Sequence, residues 1–200
     1  MLGIFLDLET TGLDVWQHRV IEIAFKILEL ESGKVKESFQ SVICQNEGVW
    51  EKSDPESLRI NGFTWEKLSQ GLHEEKAAEK IVEIFQSHGV QRNKAFYVCQ
   101  NPSFDRMFFS QIISAYQQEK YHWPYHWLDL ASMYWALKIQ NSRRKEGILT
   151  PINLSKDSIA KEYELEKEPR PHQAINGVDH LILCYEAVVG FPAKSMPKPS

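Results

Sequence analysis

The 200 residues, 42% apolar and 25% charged, suffice for one ordinary globular domain with a sizeable core. A net charge of −4 and the lack of a dominant basic run exclude a charge-driven nucleic-acid signature, although an acidic metal site would itself subtract from the total. Cys44, Cys99 and Cys184 are odd in number and sit in apolar company, which predicts buried reduced thiols and a cytoplasmic setting. No apolar run approaches the ~20 residues of a membrane span. The start of the chain lacks the basic-then-apolar pattern of a signal peptide.

Residues 2–8 read as a strand that ends at acids. "RVIEIAFKILEL" alternates apolar and polar residues, "ESGKV" reads as a turn, and the alternation continues to Cys44, so a three-strand meander is expected. Residues 45–71 lack periodicity and predict loop and short helix. "HEEKAAEKIVEIFQSHG" places Ala77, Ile81, Ile84 and Phe85 at helical spacing and stops at Gly89. "KAFYVCQN" is a short strand. "SFDRMFFSQIISAYQQE" is an amphipathic helix starting near Ser103. "YHWPYHWLDLASMYWALKI" gives an aromatic loop or short strand and then a helix. "NSRRKEGILTPINL" is a charged connector, "SKDSIAKEYEL" a Ser-capped helix, and "AINGVDHLILCYEAVVG" the last helix. Residues 191–200 form a Pro-rich tail after a domain at 1–190. Adjacent strands followed by alternating helices and strands indicate an α/β fold with a mixed sheet, whose ligands collect at strand C-terminal ends.

Asp7 and Glu9 are the unusual feature. In a strand they share a face. Two close carboxylates repel unless one takes a proton or a divalent cation intervenes, and hard oxygen ligands suit Mg²⁺ or Mn²⁺. "TTG" follows at once, and its small residues let another molecule approach the backbone. Asp105 lies in the first turn of a helix, where contact with the helix dipole is the plainer explanation. His172, after Pro171, falls on a wet loop, where it could act as a general base.

Together these segments resemble the DEDDh family of 3′–5′ exonucleases, the DnaQ-like group. "FLDLETTGLD" is similar to the first motif. "CQNPSFDRMFF" is similar to the second, usually H-N-x-x-F-D, with Asn101, Phe104 and Asp105 matching and Gln100 in place of His. "INGFTWEKLSQG" resembles the stretch between them. "PHQAINGVDHLILCYEAVV" resembles the third, built on H-x-A-x-x-D. The resemblance runs from residue 3 to about residue 189. It implies a ribonuclease H-like α/β fold, a five-stranded mixed sheet flanked by helices. It implies a metal-dependent 3′–5′ exonuclease acting on single-stranded DNA or RNA 3′ ends and releasing nucleoside 5′-monophosphates. Two Mg²⁺ or Mn²⁺ ions would be held by Asp7, Glu9 and Asp105, with His172 as base and Glu9 also contacting the 3′ end. Thr10, Thr11, Gly12, Leu13, Asn101 and Phe104 would meet substrate, and a polymerase or a second copy of the chain is a conceivable partner.

One position departs. The family's last Asp falls five residues after the His, where this chain has Gly177. Asp179 reaches the metal only if the loop after His172 is two residues longer. The stripe Ala174, Val178, Leu181, Tyr185, Val188 argues for a continuous helix, on which Asp179 points about 200° away from position 177. The loss of that ligand makes a slow or Mn²⁺-dependent enzyme the leading expectation and a catalytically weak end-binding module the alternative. Asp129 reads as an N-cap, "YHWPYHW" as core packing or base stacking, and "SRRKEG" as a solvated basic loop.

Overall fold

The computed structural model describes residues 1–144 and 151–193. The alternating segments form the expected meander: β1 (Leu2–Thr10), β2 (Val20–Glu29) and β3 (Lys34–Val42). Three short helices follow, α1 (Glu47–Trp50), α2 (Pro55–Asn61) and α3 (Trp65–Ser69), and then the longer α4 (Glu74–Ser87). Local chemistry sets these ends. Asp54 caps α2 ahead of Pro55, and α2 stops at Gly62, whose φ of 66° is the left-handed region that glycine adopts freely. Strand β4 (Ala95–Cys99) leads into α5 (Pro102–Ile112), α6 (Ala115–Lys120), β5 (Trp127–Asp129) and α7 (Leu130–Arg144). Two further helices, α8 (Lys156–Glu162) and α9 (Ala174–Val188), complete the fold.

The sheet order is β3-β2-β1-β4-β5. The meander pairs antiparallel, and β1–β4 and β4–β5 pair parallel, giving a mixed five-stranded sheet as expected. Both faces are covered. Ile4, Leu6 and Leu8 of β1 face one layer with Phe85, Phe108 and Phe109. Phe5 faces the other layer, packed with Val178, Leu181, Tyr185 and Val188 of α9. Burying each such side chain stabilises the fold by roughly 1.5–3 kcal/mol, so these four residues of α9 pin its rotational phase.

Three expectations need correction. The helix expected from Ser103 through Glu119 is two helices. Its cap is Asn101, not Ser103. Ile113 turns extended and Ser114 opens α6 with a reciprocal capping box to Gln117. The tail does not begin at residue 191, because Phe191 is buried against Tyr185 and the Ala193 N–H donates to the Glu31 carbonyl at 2.7 Å. Cys99 and Cys184 are buried and unpaired as expected, but Cys44 is only partly buried. Residues 141–144 of the expected connector instead continue α7, and its residues 145–150 and residues 194–200 of the tail lie outside the described residues.

Candidate active site

Alternation along β1 puts Phe5, Asp7 and Glu9 on the face that α9 covers. Asp7 pairs across the sheet with Ala24, and Glu9 with Glu22. The register then shifts between Glu9 and Thr10 and the strand turns away. Strand β4 runs parallel to β1, so α5, which follows it, brings its first turn to the same edge. Asp105 in that turn is buried.

These three carboxyls are all pushed toward protonation. Burial pushes Asp7 up to about 6, opposed by Lys156 and reinforced by Glu168 and Glu22. Burial and then the Asp7 charge push Glu9 up to about 8. Burial and Asp7 push Asp105 well above the ordinary carboxylate range. Among the described residues no donor hydrogen-bonds to the carboxylates of Asp7 or Glu9. Nor do three acidic, thiol or imidazole groups there close into a protein-only metal cage. Mg²⁺ normally asks for one or two carboxylates completed by water and substrate phosphate, and this donor set fits one such ion.

The third motif enters on α9. No side chain of its own segment caps that helix. The buried Glu22 does so from β2, accepting the Ala174 N–H at 2.8 Å and the Gln40 amide at 2.8 Å. Two residues earlier, the His172 N–H donates to the Ile60 carbonyl at 3.1 Å. The neighbouring Asn61 donates its amide to the Thr10 carbonyl at 3.2 Å. Helix α2 therefore ties the turn after β1 to the His172 loop. Gly62 admits that loop, since a Cβ there would lie 2.9 Å from Pro171 Cβ. His172 Nδ1 lies 3.5 Å from Glu168 Oε1. Glu168 is held down to about 2, because His180 and Lys156 outweigh the opposing effect of its burial.

Helix α9 runs unbroken from Ala174 to Val188, so the longer-loop alternative that would bring Asp179 to the metal is not adopted. Asp179 is instead half exposed and forms an ion pair with Lys26. Rotating it inward would turn Val178, Leu181, Tyr185 and Val188 out of the core, a loss of roughly 6 kcal/mol or more. Asp179 therefore does not stand with Asp7, Glu9 and Asp105. At Gly177 a Cβ would sit 2.6 Å from Asp7 Cγ, so the Asp7 carboxyl fills the space that a side chain there would need.

The expected substrate residues divide. Thr10 and Thr11 are buried and hold the turn: Thr10 Oγ1 donates to the Gly12 carbonyl at 2.7 Å, and Thr11 Oγ1 accepts the Arg19 N–H at 3.0 Å. Gly12 is covered by the chain's own His18 ring, whose Cδ2 would lie 2.6 Å from a Cβ at that position. Leu13 and Trp16 are what this turn presents outward, 74% and 87% exposed. Asn101 is exposed in a left-handed conformation, its N–H donating to Asp129 at 3.1 Å. Phe104 packs on Phe108 with ring centres 4.7 Å apart. Asp129 caps α7 as expected, accepting the Ala131 N–H at 3.1 Å.

Sequence reasoning missed Glu22, Lys156, Glu168 and His180. Nothing in the spacing separates Glu168 from Glu164 or Glu166. Glu22 differs only in being a charged residue within a run of buried ones.

The acid pair at the end of β1, the helical Asp105 and the loop His172 all fall within one stretch that comparison with known families recognises. A family model described as an RNase T-type exonuclease matches residues 4–183, and the chain belongs to that exonuclease family. Exonuclease I of E. coli, solved with a dT13 oligonucleotide, is 19% identical with a TM-score of 0.71, over 95% of this chain and 41% of that one. A zinc-bound E. coli exonuclease I–ssDNA complex is 19% identical with a TM-score of 0.70, over 94% and 40%. The moderately thermophilic exonuclease I of Methylocaldum szegediense is 22% identical with a TM-score of 0.71, again over 94% and 40%. The expected α/β fold is thereby shared, while this chain spans about two fifths of those proteins' length. No curated protein matches the chain at a significant level. Among the described residues no helix is long and apolar enough to cross a membrane.

Proposed function

We propose that the chain is a metal-dependent 3′–5′ exonuclease that acts on single-stranded nucleic-acid ends and releases nucleoside 5′-monophosphates. The observation that carries this reading is the convergence of Asp7, Glu9 and Asp105 at one sheet edge, each pushed toward protonation by burial and by its acidic neighbours. Asp7 and Glu9 would hold the Mg²⁺ or Mn²⁺ ion, with Asp105 beside them. When bound, the ion supplies Lewis acidity and neutralises phosphate charge. His172 is partly exposed and takes the proton of the attacking water, while Glu168 orients its ring through Nδ1. Water adds to phosphorus and the bond to the leaving 3′-oxygen breaks.

A groove of about 710 Å³ between the turn after β1 and α5, lined among others by Trp16, Arg19, Glu74, Arg106 and Met107, supports a path for the strand. Its exposed indole suits base stacking and its guanidinium groups suit phosphate. The oligonucleotides bound by the E. coli relatives favour a single strand as substrate.

Gly177 favours a second reading, an end-binding module of weak activity. Incubating 5′-labelled single-stranded DNA and RNA with Mg²⁺ or Mn²⁺ separates the two. A ladder of shortened, still labelled products that disappears in EDTA is expected. Retention of full-length strand despite tight binding would establish the second reading instead.

A further inference from the structure

Two departures from the expected motifs meet at one side chain outside them, Lys156. Gln100 stands where the second motif has His. Its amide donates to the Leu154 carbonyl at 2.8 Å and so pins the segment that enters α8. Ser155 caps that helix and Lys156 is its first residue. The Lys156 side chain is only 14% exposed, with Nζ 2.9 Å from Glu168 Oε2. Gly177 stands where the third motif has Asp. Its carbonyl accepts from Lys156 Nζ at 3.3 Å, and its missing side chain leaves the room that the Asp7 carboxyl occupies.

A lysine held at this depth acts on the acids unequally: it opposes the upward shifts of Asp7 and Asp105, whereas at Glu9 its partner Glu168 outweighs it. Burial by itself would lower its own pKa, but Asp7 and Glu168 outweigh burial and keep it an ammonium ion. An ammonium has donors and no lone pair, so it neutralises carboxylates without ligating a metal, and it repels a divalent ion brought beside it. We infer that the Lys156 ammonium is a resident cation of this acid cluster that takes over the charge-neutralising part of a second divalent ion, so that the chain takes up one divalent ion per site rather than two. The inference rests on the metal-dependent reading above. It assigns the loss at position 177 a compensation elsewhere in the chain, with Gln100, Glu168 and Gly177 as positioning residues for the lysine.

The test counts ions rather than turnover. Titration of the whole chain with Mn²⁺, followed by calorimetry and by the spin resonance of free Mn²⁺, is expected to give one ion per chain. Lys156→Gln keeps a hydrogen-bonding group for Glu168 and removes the charge. It is expected to bind Mn²⁺ about tenfold more tightly or better, because a unit charge a few ångström from a cation outweighs that factor even at a protein-surface dielectric. Any stoichiometry other than one in the unmutated chain overturns the inference, and so does unchanged affinity in a folded Lys156→Gln. The unmutated count needs no variant and decides the matter if Lys156→Gln does not fold. One bound ion without strand degradation would sink the exonuclease reading alone, and two bound ions with full degradation would sink this inference alone.

Discussion

Gly177→Asp puts back the carboxylate that the third motif leads one to expect, and the structure sets its cost. The new Cβ would lie 2.6 Å from Asp7 Cγ, where ordinary contact begins at 3.4 Å, so the Asp7 carboxyl must swing aside. Forcing a side chain about 30° from its rotamer costs roughly 0.5–1.5 kcal/mol. The larger effect is charge. Two charges about 4 Å apart would repel by about 4 kcal/mol at an effective dielectric of about 20. Protonating Asp7, raised to about 6, costs only about 3 kcal/mol at pH 8, so a proton is taken up and that smaller cost sets the charge part of the loss. Replacing glycine in a helix returns only a few tenths of a kcal/mol. In EDTA at pH 8 the variant should therefore lose about 4 kcal/mol, equivalent to roughly 8–16 °C in melting temperature for a chain of this size. At pH 5 one carboxyl already holds a proton and the loss should shrink to roughly 1 kcal/mol, the steric part. Saturating Mn²⁺ should recover most of the difference at pH 8, so the metal-induced rise in melting temperature exceeds that of the parent. Gly177→Ala isolates the steric part and should be nearly neutral. Melting of Gly177→Asp within about 2 °C of the parent in EDTA at pH 8 would refute the placement of Asp7 against position 177.

Asp7→Asn should abolish metal-dependent degradation while the metal-free protein melts at or above the parent temperature, because one member of a repelling cluster is gone. Unfolding of this variant would assign Asp7 a structural role. His172→Ala should lower turnover by roughly two to four decades with oligonucleotide binding retained, as read by single-turnover rates beside fluorescence anisotropy. Equal rates would remove His172 from the chemistry. The pH dependence of stability follows from the sign of the shifts. Asp7 and Glu9 are raised to about 6 and about 8 in the folded chain, so their protons are held more tightly there than in the unfolded chain. That stabilisation is fully present below about pH 4, the unfolded range, and is lost as pH rises through about 6 and then about 8. In EDTA the melting temperature should fall across this window, and Mn²⁺ should flatten the fall. A melting temperature that climbs with pH in EDTA would contradict the upward shifts of these acids.

Much of the site could be read along the chain, because its parts are local. Asp7 and Glu9 share a face by the two-residue period of a strand, Asp105 occupies a first helical turn, and the stripe on the last helix already placed Asp179 away from position 177. Each of those inferences needs only a few consecutive residues and one periodicity. The break at Ile113 is also local: the apolar pattern continues across it, and the capping box at Ser114 is what marks the second helix.

What the order of residues could not convey is which distant groups share a dielectric environment. Glu22 caps a helix that starts 152 residues later. Asn61 and Ile60 clamp the turn after β1 to the His172 loop. Lys156 reaches Glu168 and the Gly177 carbonyl from a helix that no motif includes. Electrostatic energy depends on distance through space and on exclusion of water, and neither varies with separation along the chain in a way that a pattern reveals. The sequence by itself determined the fold class and the acids. Only the packing of α8 and α9 against β1 decided that the Lys156–Glu168 ion pair stands beside them.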